Sequence, residues 1–278
     1  MGSVFKTIIL LGILSVIVIT VGGIFGGEQG IYTAFFIALL MNGGMYFFSD
    51  KLALSMSQAR PLKENEYPEL HKTVANLAKK MQIPMPKLYI TPDQQANAFA
   101  TGRGPGHASV AVTEGIMKVL SHDELRGVLA HELAHVKNRD VLVATIAAVL
   151  ASTISFLANM SLFSGGHSDD ENAPNPVIMI IAAILVPIAA SLIQMAISRQ
   201  REFGADYTGA RTIGDGHSLA NALLAIHNSA RLHPRQANPA TASLYIGDPS
   251  GGMGKKMMQM FSTHPPVEER VKRLQSIK

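Results

Sequence analysis

Four stretches of this chain contain no Asp, Glu, Lys or Arg: residues 7–27, 29–49, 141–166 and 172–198. A helix crosses the hydrocarbon core of a bilayer with about 20 apolar residues, so each stretch is long enough to span it. Inside that core the backbone must satisfy its own hydrogen bonds, which dictates helices. Whatever else the chain builds has to come from the segments these four helices separate. Composition agrees, with 47% hydrophobic and 16% charged residues, against about 25% charged in an ordinary soluble domain. The first stretch, Thr7 to Phe25, is not read as a signal peptide, because it lacks a clear small-residue cleavage site and a second apolar stretch follows at once. Asn42-Gly43-Gly44 interrupts the second, while Tyr46, Phe47 and Phe48 suit an interfacial end. Pro187 should kink the fourth unless its neighbours accommodate it.

Basic residues set an orientation. All 24 Lys and Arg fall at Lys6, in residues 50–140 or in residues 199–278. The short connections 26–30 and 164–174 hold only acidic charges, Glu28, Asp169, Asp170 and Glu171. The positive-inside rule therefore places both termini and both long polar segments in the cytoplasm. Four regions are expected: 1–50 with two membrane helices, 51–140 as the first part of a cytoplasmic domain, 141–198 with two more membrane helices, and 199–278 as the second part. The net charge of +4 is accounted for by an anionic cytoplasmic leaflet, and no nucleic-acid-binding signature accompanies it. There are no cysteines, so a bound zinc must sit on nitrogen and oxygen.

The chemistry is concentrated in His131-Glu132-Leu133-Ala134-His135, the pattern H-E-x-x-H. Positions i and i+4 share a helix face, so His131 and His135 can aim two ring nitrogens at one zinc ion. Glu132 stands about 100° round the helix, within reach of a water on that metal. Ser121 as N-cap with Glu124 three residues on forms a capping box, and Leu125, Val128, Leu129, Leu133 and Val136 follow on a helical period. The motif therefore lies on a helix. That helix is expected to end near Asp140, where the third apolar stretch begins, which keeps the zinc within about two helical turns of the membrane surface.

Upstream, residues 67–83 read as an amphipathic helix with Leu70, Val74, Leu77, Ala78 and Met81 on one face, stopped by Pro84 and Pro86. Residues 87–90, 96–102 and 107–113 are strand candidates, with Arg103-Gly104-Pro105-Gly106 as a turn. A small antiparallel sheet beside the zinc helix could offer an edge to an extended peptide, with Asn97 and Ala98 as edge candidates. A zinc held by two histidines needs a third protein ligand and an open fourth position. Glu202 and Asp206 stand at i and i+4 just past the fourth apolar stretch. Glu202 could bind the metal, and Asp206 could accept a hydrogen bond from a ligand histidine; alternatively both pair with Arg199, Arg201 and Arg211. Residues 218–231 read as a helix, 232–254 as a Pro/Gly-rich loop, 255–261 as a short helix, and 262–270 as the opening of a last helix with Val267, Val271 and Leu274 inward.

Taken together, H-E-L-A-H, R-Q-R-E-F-G-A-D, N-A-F-A-T-G and S-T-H-P-P-V-E-E-R resemble the HtpX family of membrane zinc metalloproteases, which is similar in turn to the CAAX prenyl endopeptidases. The resemblance covers nearly the whole chain. It implies a mainly α-helical integral membrane protein with a cytoplasmic, zincin-like α+β protease domain. It further implies one zinc per chain on His131, His135 and Glu202, Glu132 as catalytic base, and Asp206 supporting a ligand. Asn97 and Ala98 would lie along the substrate, and His264 with Arg270 would steady the oxyanion. The implied work is endoproteolysis of misfolded or surplus membrane proteins at the bacterial inner membrane, a quality-control and stress response acting on unfolded polypeptides. Three other readings compete: a CAAX-type protease, for which four spans make a small body; a zinc-binding scaffold without turnover, against which Glu132 speaks; and a transporter, which would carry ionisable residues inside its spans.

Overall fold

The computed structural model describes residues 2–25, 27–164, 176–232 and 264–277. Beyond their first residues, the expected connection 164–174 and the Pro/Gly-rich loop 232–254 lie outside them, as does the short helix 255–261. The chain divides into two compact units, one of Met1–Tyr46 and Val143–Gln200, the other of Phe47–Leu142 and Arg201–Lys278.

The first unit is helical throughout. Helices α1 (Gly2–Phe25) and α2 (Gly27–Met56, its first part) accompany α6 (Asp140–Ser164) and α7 (Pro176–Ile213, its first part). Two of these are long and apolar enough to cross a membrane, Asp140–Ala158 and Ile180–Ile213; Ile8–Val21 and Glu28–Leu40 are shorter apolar stretches. Leu14, Val18, Ala147, Ala151, Ile154, Ala190 and Ile197 form a buried cluster. Three of these seven are alanines, whose small side chains let helix backbones approach closely. Large apolar side chains such as Phe5, Ile8, Phe36, Ile184 and Leu185 face outward. Pro187 is carried inside α7 without ending it.

The second unit is mixed. A four-stranded sheet, in the order β1 (Arg60–Pro61), β2 (Lys87–Thr91), β4 (Ser109–Thr113), β3 (Ala98–Thr101), packs with α3 (Pro68–Met81), α4 (Glu114–Val119), α5 (His122–Asn138), α8 (His217–Leu232) and α9 (Val267–Gln275). The expected antiparallel sheet is corrected in one pair, since β2 and β4 run parallel, Lys87 opposite Ser109 and Thr91 opposite Thr113. The reason is the connection after β2. It carries β3 past the place that β4 then fills, so β3 is antiparallel to β4 and becomes an outer strand. Both faces of the sheet are covered, as a parallel pair requires. Leu88, Ile90, Ala98, Val110 and Val112 join the core under α3 and α5, and Phe99 and Ala111 meet Ala53 of α2 on the other side. Residues 60–61 supply the short strand that pairs with Tyr89 and Ile90.

Most local expectations are met closely. Helix α3 buries Leu70, Val74, Leu77, Ala78 and Met81, and Gln82 ends it in the left-handed region with φ 58°. Helix α5 packs on α8, α3 and β3. Its approach to α8 needs Gly127, where a Cβ would stand 2.7 Å from the Leu219 nitrogen. Arg139, also left-handed, closes α5, and α6 starts on the next residue.

Candidate metal centre

The capping box forms at the start of α5. Ser121 Oγ accepts the Glu124 N–H, and the Glu124 carboxylate accepts the Ser121 N–H at 2.8 Å. With the helix start fixed, the 3.6-residue period turns Leu125, Val128, Leu129, Leu133 and Val136 inward, and His131 and Glu132 with them. His131 is 2% exposed and His135 is partly buried. Their Nε2 atoms face each other at 3.0 Å, the rings edge to face.

Helix α7 brings the third group. It approaches α5 closely at Gly209, where a Cβ would stand 3.0 Å from the His131 nitrogen. Two turns earlier on α7, Glu202 reaches the histidine pair. Its Oε1 lies 3.4 Å from His135 Nε2 and its Oε2 3.6 Å from His131 Nε2. Ligands at tetrahedral corners about 2.0–2.2 Å from a zinc ion stand roughly 3.3–3.6 Å apart. The separations of 3.0, 3.4 and 3.6 Å, the last two to different oxygens of the Glu202 carboxylate, are of that order, and one ligand atom from each residue lies within 4.8 Å of the others. Among the described residues this is the cluster of His and acidic groups that could hold a metal ion. Glu202 Oε2 is buried and accepts no well-formed hydrogen bond, although positive groups gather round it, with Arg270 Nη1 at 3.3 Å and His264 Nδ1 at 3.1 Å. At His135, burial favours the neutral ring, yet Asp140 and Glu202 outweigh it and raise the imidazole well above the ordinary histidine range. A site that draws positive charge in this way, built from two nitrogens and a carboxylate, fits a divalent metal.

Each histidine is held from behind by an aspartate. His131 Nδ1 is 3.0 Å from Asp206 Oδ1, and His135 Nδ1–H donates to Asp140 Oδ2 at 2.7 Å. Each aspartate is in turn held by an arginine. Arg270 donates through Nε to Asp206 Oδ2 at 2.9 Å and through Nη2 to Oδ1 at 2.7 Å, and Arg201 pairs with Asp140 Oδ1. The arginines Arg199, Arg201 and Arg211, weighed from sequence as partners of Glu202 and Asp206, therefore do not take that part. The partner is Arg270, 64 residues from Asp206.

Arg270 also stands elsewhere than expected for a group meeting substrate. It is fully buried, its Nη1 3.3 Å from Glu202 Oε2. Burial disfavours its charge, but Asp206 and Glu202 raise its pKa above the usual arginine value. His264, just ahead of α9, has its Nδ1 3.1 Å from Glu202 Oε2 and is partly exposed.

Glu132 is 5% exposed. Its Oε2 accepts the backbone N–H of Ala100 at 2.8 Å. That N–H is free for it because antiparallel pairing alternates. The Thr113 N–H donates to the Asn97 carbonyl, so Ala98 and Ala100 turn their polar groups away from β4. Burial pushes the Glu132 carboxyl above its usual range, against the pull of His131 and His135. Ala98 begins the outer strand and Asn97 immediately precedes it, but they are 0% and 1% exposed. That edge is covered in this structure.

Sequence reasoning missed Asp140, Arg201 and the Ala100 N–H. The available signal was an acid five residues past His135 and immediately before an apolar stretch, together with an arginine adjacent to Glu202.

The model of peptidase family M48 matches residues 64–278. The chain is 48% identical over 284 residues to a protease HtpX homologue of Syntrophobacter fumaroxidans, covering 100% of both chains. It is also 48% identical over 277 residues to one from Pelotomaculum thermopropionicum, covering 98% of each, and 48% identical over 276 residues to one from Pyrococcus furiosus, covering 98% of this chain and 95% of that relative. Among solved structures, the fold is similar to that of S. mikatae Ste24p, with a TM-score of 0.60 and 20% identity over 98% of this chain; it spans 65% of that longer chain.

Proposed function

The chain belongs to peptidase family M48 and is a metallopeptidase acting on polypeptides; from that premise we propose a zinc-dependent endopeptidase of the bacterial cytoplasmic membrane that cuts misfolded or surplus membrane proteins. The observation that carries this reading is the meeting of His131, His135 and Glu202 with Glu132 beside them. The three on α5 are followed at once by α6, and Glu202 lies on α7 itself, and both of those helices include apolar stretches long enough to cross a bilayer. We assign residues 1–50 and 141–198 to four membrane helices and residues 51–140 and 199–278 to a cytoplasmic protease body. Both termini then face the cytoplasm.

In this reading His131, His135 and Glu202 hold the zinc. When bound, it supplies Lewis acidity, polarising a peptide carbonyl and making water acidic near neutral pH. The remaining work belongs to side chains. Glu132 takes the proton of the attacking water and returns it to the departing amine. The Ala100 N–H keeps its carboxylate aimed, and burial makes it a stronger base than an exposed glutamate. Asp206 holds His131 in the tautomer that leaves Nε2 free. His264 donates to the carbonyl oxygen as charge develops there. Substrate lies along β3, its backbone opposite Asn97 and Ala98, once that edge is uncovered. Arg270 serves from beneath, holding Asp206 and Glu202 in place.

The test is proteolysis of an unfolded membrane protein by the detergent-purified chain, wild type beside Glu132→Gln, with zinc measured in both. The expected result is about one zinc per chain in each, with cleavage in the variant lower by roughly 10²–10⁴-fold. Zinc in both and cleavage in neither would sink the endopeptidase reading.

A further inference from the structure

We propose that Asp140 and Arg201 are a positioning pair for the second metal-ligand histidine, with Arg201 acting on the metal site only through Asp140. The inference rests on the metal-centre reading above. It starts from how the Asp140 carboxylate is divided. Oδ2 accepts the His135 Nδ1–H at 2.7 Å, and Oδ1 takes Arg201. A carboxylate can only accept, so this contact puts the proton on Nδ1 and leaves the Nε2 lone pair directed at His131 Nε2 and Glu202 Oε1.

A bland explanation exists for an acid at this position. Asp140 opens α6, and an acidic first turn suits the positive end of a helix. That explanation asks only for a charge near the helix start, at the surface. Asp140 is instead 7% exposed and Arg201 8%, and the carboxylate is shared between a histidine 5 positions before it and a guanidinium 61 positions after it. Arg201 is further fixed by Nη2 donating to the Asn138 carbonyl at 3.3 Å, the last residue of α5. That carbonyl holds the guanidinium in place against Asp140, so its contact with the ligand histidine runs through the carboxylate. The same arrangement, arginine to aspartate to histidine, recurs at Arg270, Asp206 and His131. Each ligand histidine therefore has its own aspartate–arginine pair, Asp206 with Arg270 and Asp140 with Arg201. Arg201 also immediately precedes Glu202, so one helical step of α7 delivers a metal ligand and the anchor of another.

The experiment measures metal binding, not turnover. The full chain is purified in detergent and stripped of metal. Zinc affinity is then read by competition with a chromogenic chelator, and the visible spectrum is read with Co²⁺, for wild type, Asp140→Asn, Arg201→Gln and the double variant. Loss of such a partner typically costs about 10–100-fold in metal affinity. Asp140→Asn should weaken zinc by that factor and shift the Co²⁺ bands, and Arg201→Gln should move both in the same direction by less. The double variant should match Asp140→Asn alone, because Arg201 has no other route to the metal. It also leaves no unpaired buried charge, so it remains informative if a single variant fails to fold. Wild-type affinity and an unshifted spectrum in Asp140→Asn and the double variant would overturn the inference, and so would losses that add. A wild-type chain that binds neither zinc nor Co²⁺ would overturn the metal-centre reading itself.

Discussion

The most consequential side chain outside the histidine pair is Arg270. It is wholly buried and touches Asp206 with two donors and Glu202 with a third. Removing one member of a buried ion pair typically costs about 3–5 kcal/mol, because the remaining charge has neither water nor partner. Arg270→Gln is therefore expected to destabilise the protein by that order. It should do so more in the metal-free state than in the zinc-loaded one, where the metal's own charge compensates the abandoned carboxylates. Thermal unfolding with and without zinc checks this; equal losses in both states would separate Arg270 from the metal site. No local pattern points to this role. Arg270 stands 64 positions from Asp206 and 68 from Glu202, and the nearer arginines looked equally suitable for Asp206. His131, His135 and Glu132 were legible because one helix turn fixes their relation. Asp140 was half legible: its spacing from His135 was visible, but its carboxylate could be assigned only once Arg201 lay beside it.

At the level of elements, the site depends on three helices arriving close together, and glycines set those distances. Gly209 lets α7 reach α5, Gly127 lets α8 reach α5, and Gly216 lets α9 lie against the start of α8. A Cβ on Gly216 would stand 2.1 Å from the Leu274 carbonyl oxygen, so Gly216→Ala must push α9 away and Arg270 with it. A cost of about 1–3 kcal/mol is expected for such overpacking, with weakened zinc binding although residue 216 touches no ligand. Chelator competition on this variant decides it, and unaltered affinity would show that α9 position does not reach the metal. Phe203, one residue past Glu202, lies under the Arg273 guanidinium at 3.6 Å and helps hold α9 to α7. The helices were readable because period and caps are local signals: Ser121 with Glu124 starts α5, and five apolar residues define the buried face of α3. The parallel pairing of β2 with β4 was not. Strand direction depends on where the six residues 92–97 carry the chain, and alternation of side chains is the same in either direction.

Across the whole molecule, charge-free stretches divide the sequence into regions, and the structure falls into two compact units, each made of two separated pieces of chain. The expected orientation has its own test: a reporter fused after Lys278 should be active in its cytoplasmic form, and activity specific to the opposite side would reverse the assignment. One feature of the second unit bears on how it can be handled. Its two pieces, Phe47–Leu142 and Arg201–Lys278, are separated in the chain by 143–200 yet joined in space by Arg201 on Asp140. No truncation from either end can therefore isolate it, because any contiguous fragment holding His131 and Glu202 carries both intervening apolar helices. Excision from the middle can. The ends at Leu142 and Arg201 lie next to that ion pair, and a linker of about five flexible residues reaches some 10–15 Å. A splice of 47–142 to 201–278 by such a linker would turn an integral membrane enzyme into a water-soluble one whose metal chemistry could be titrated without detergent.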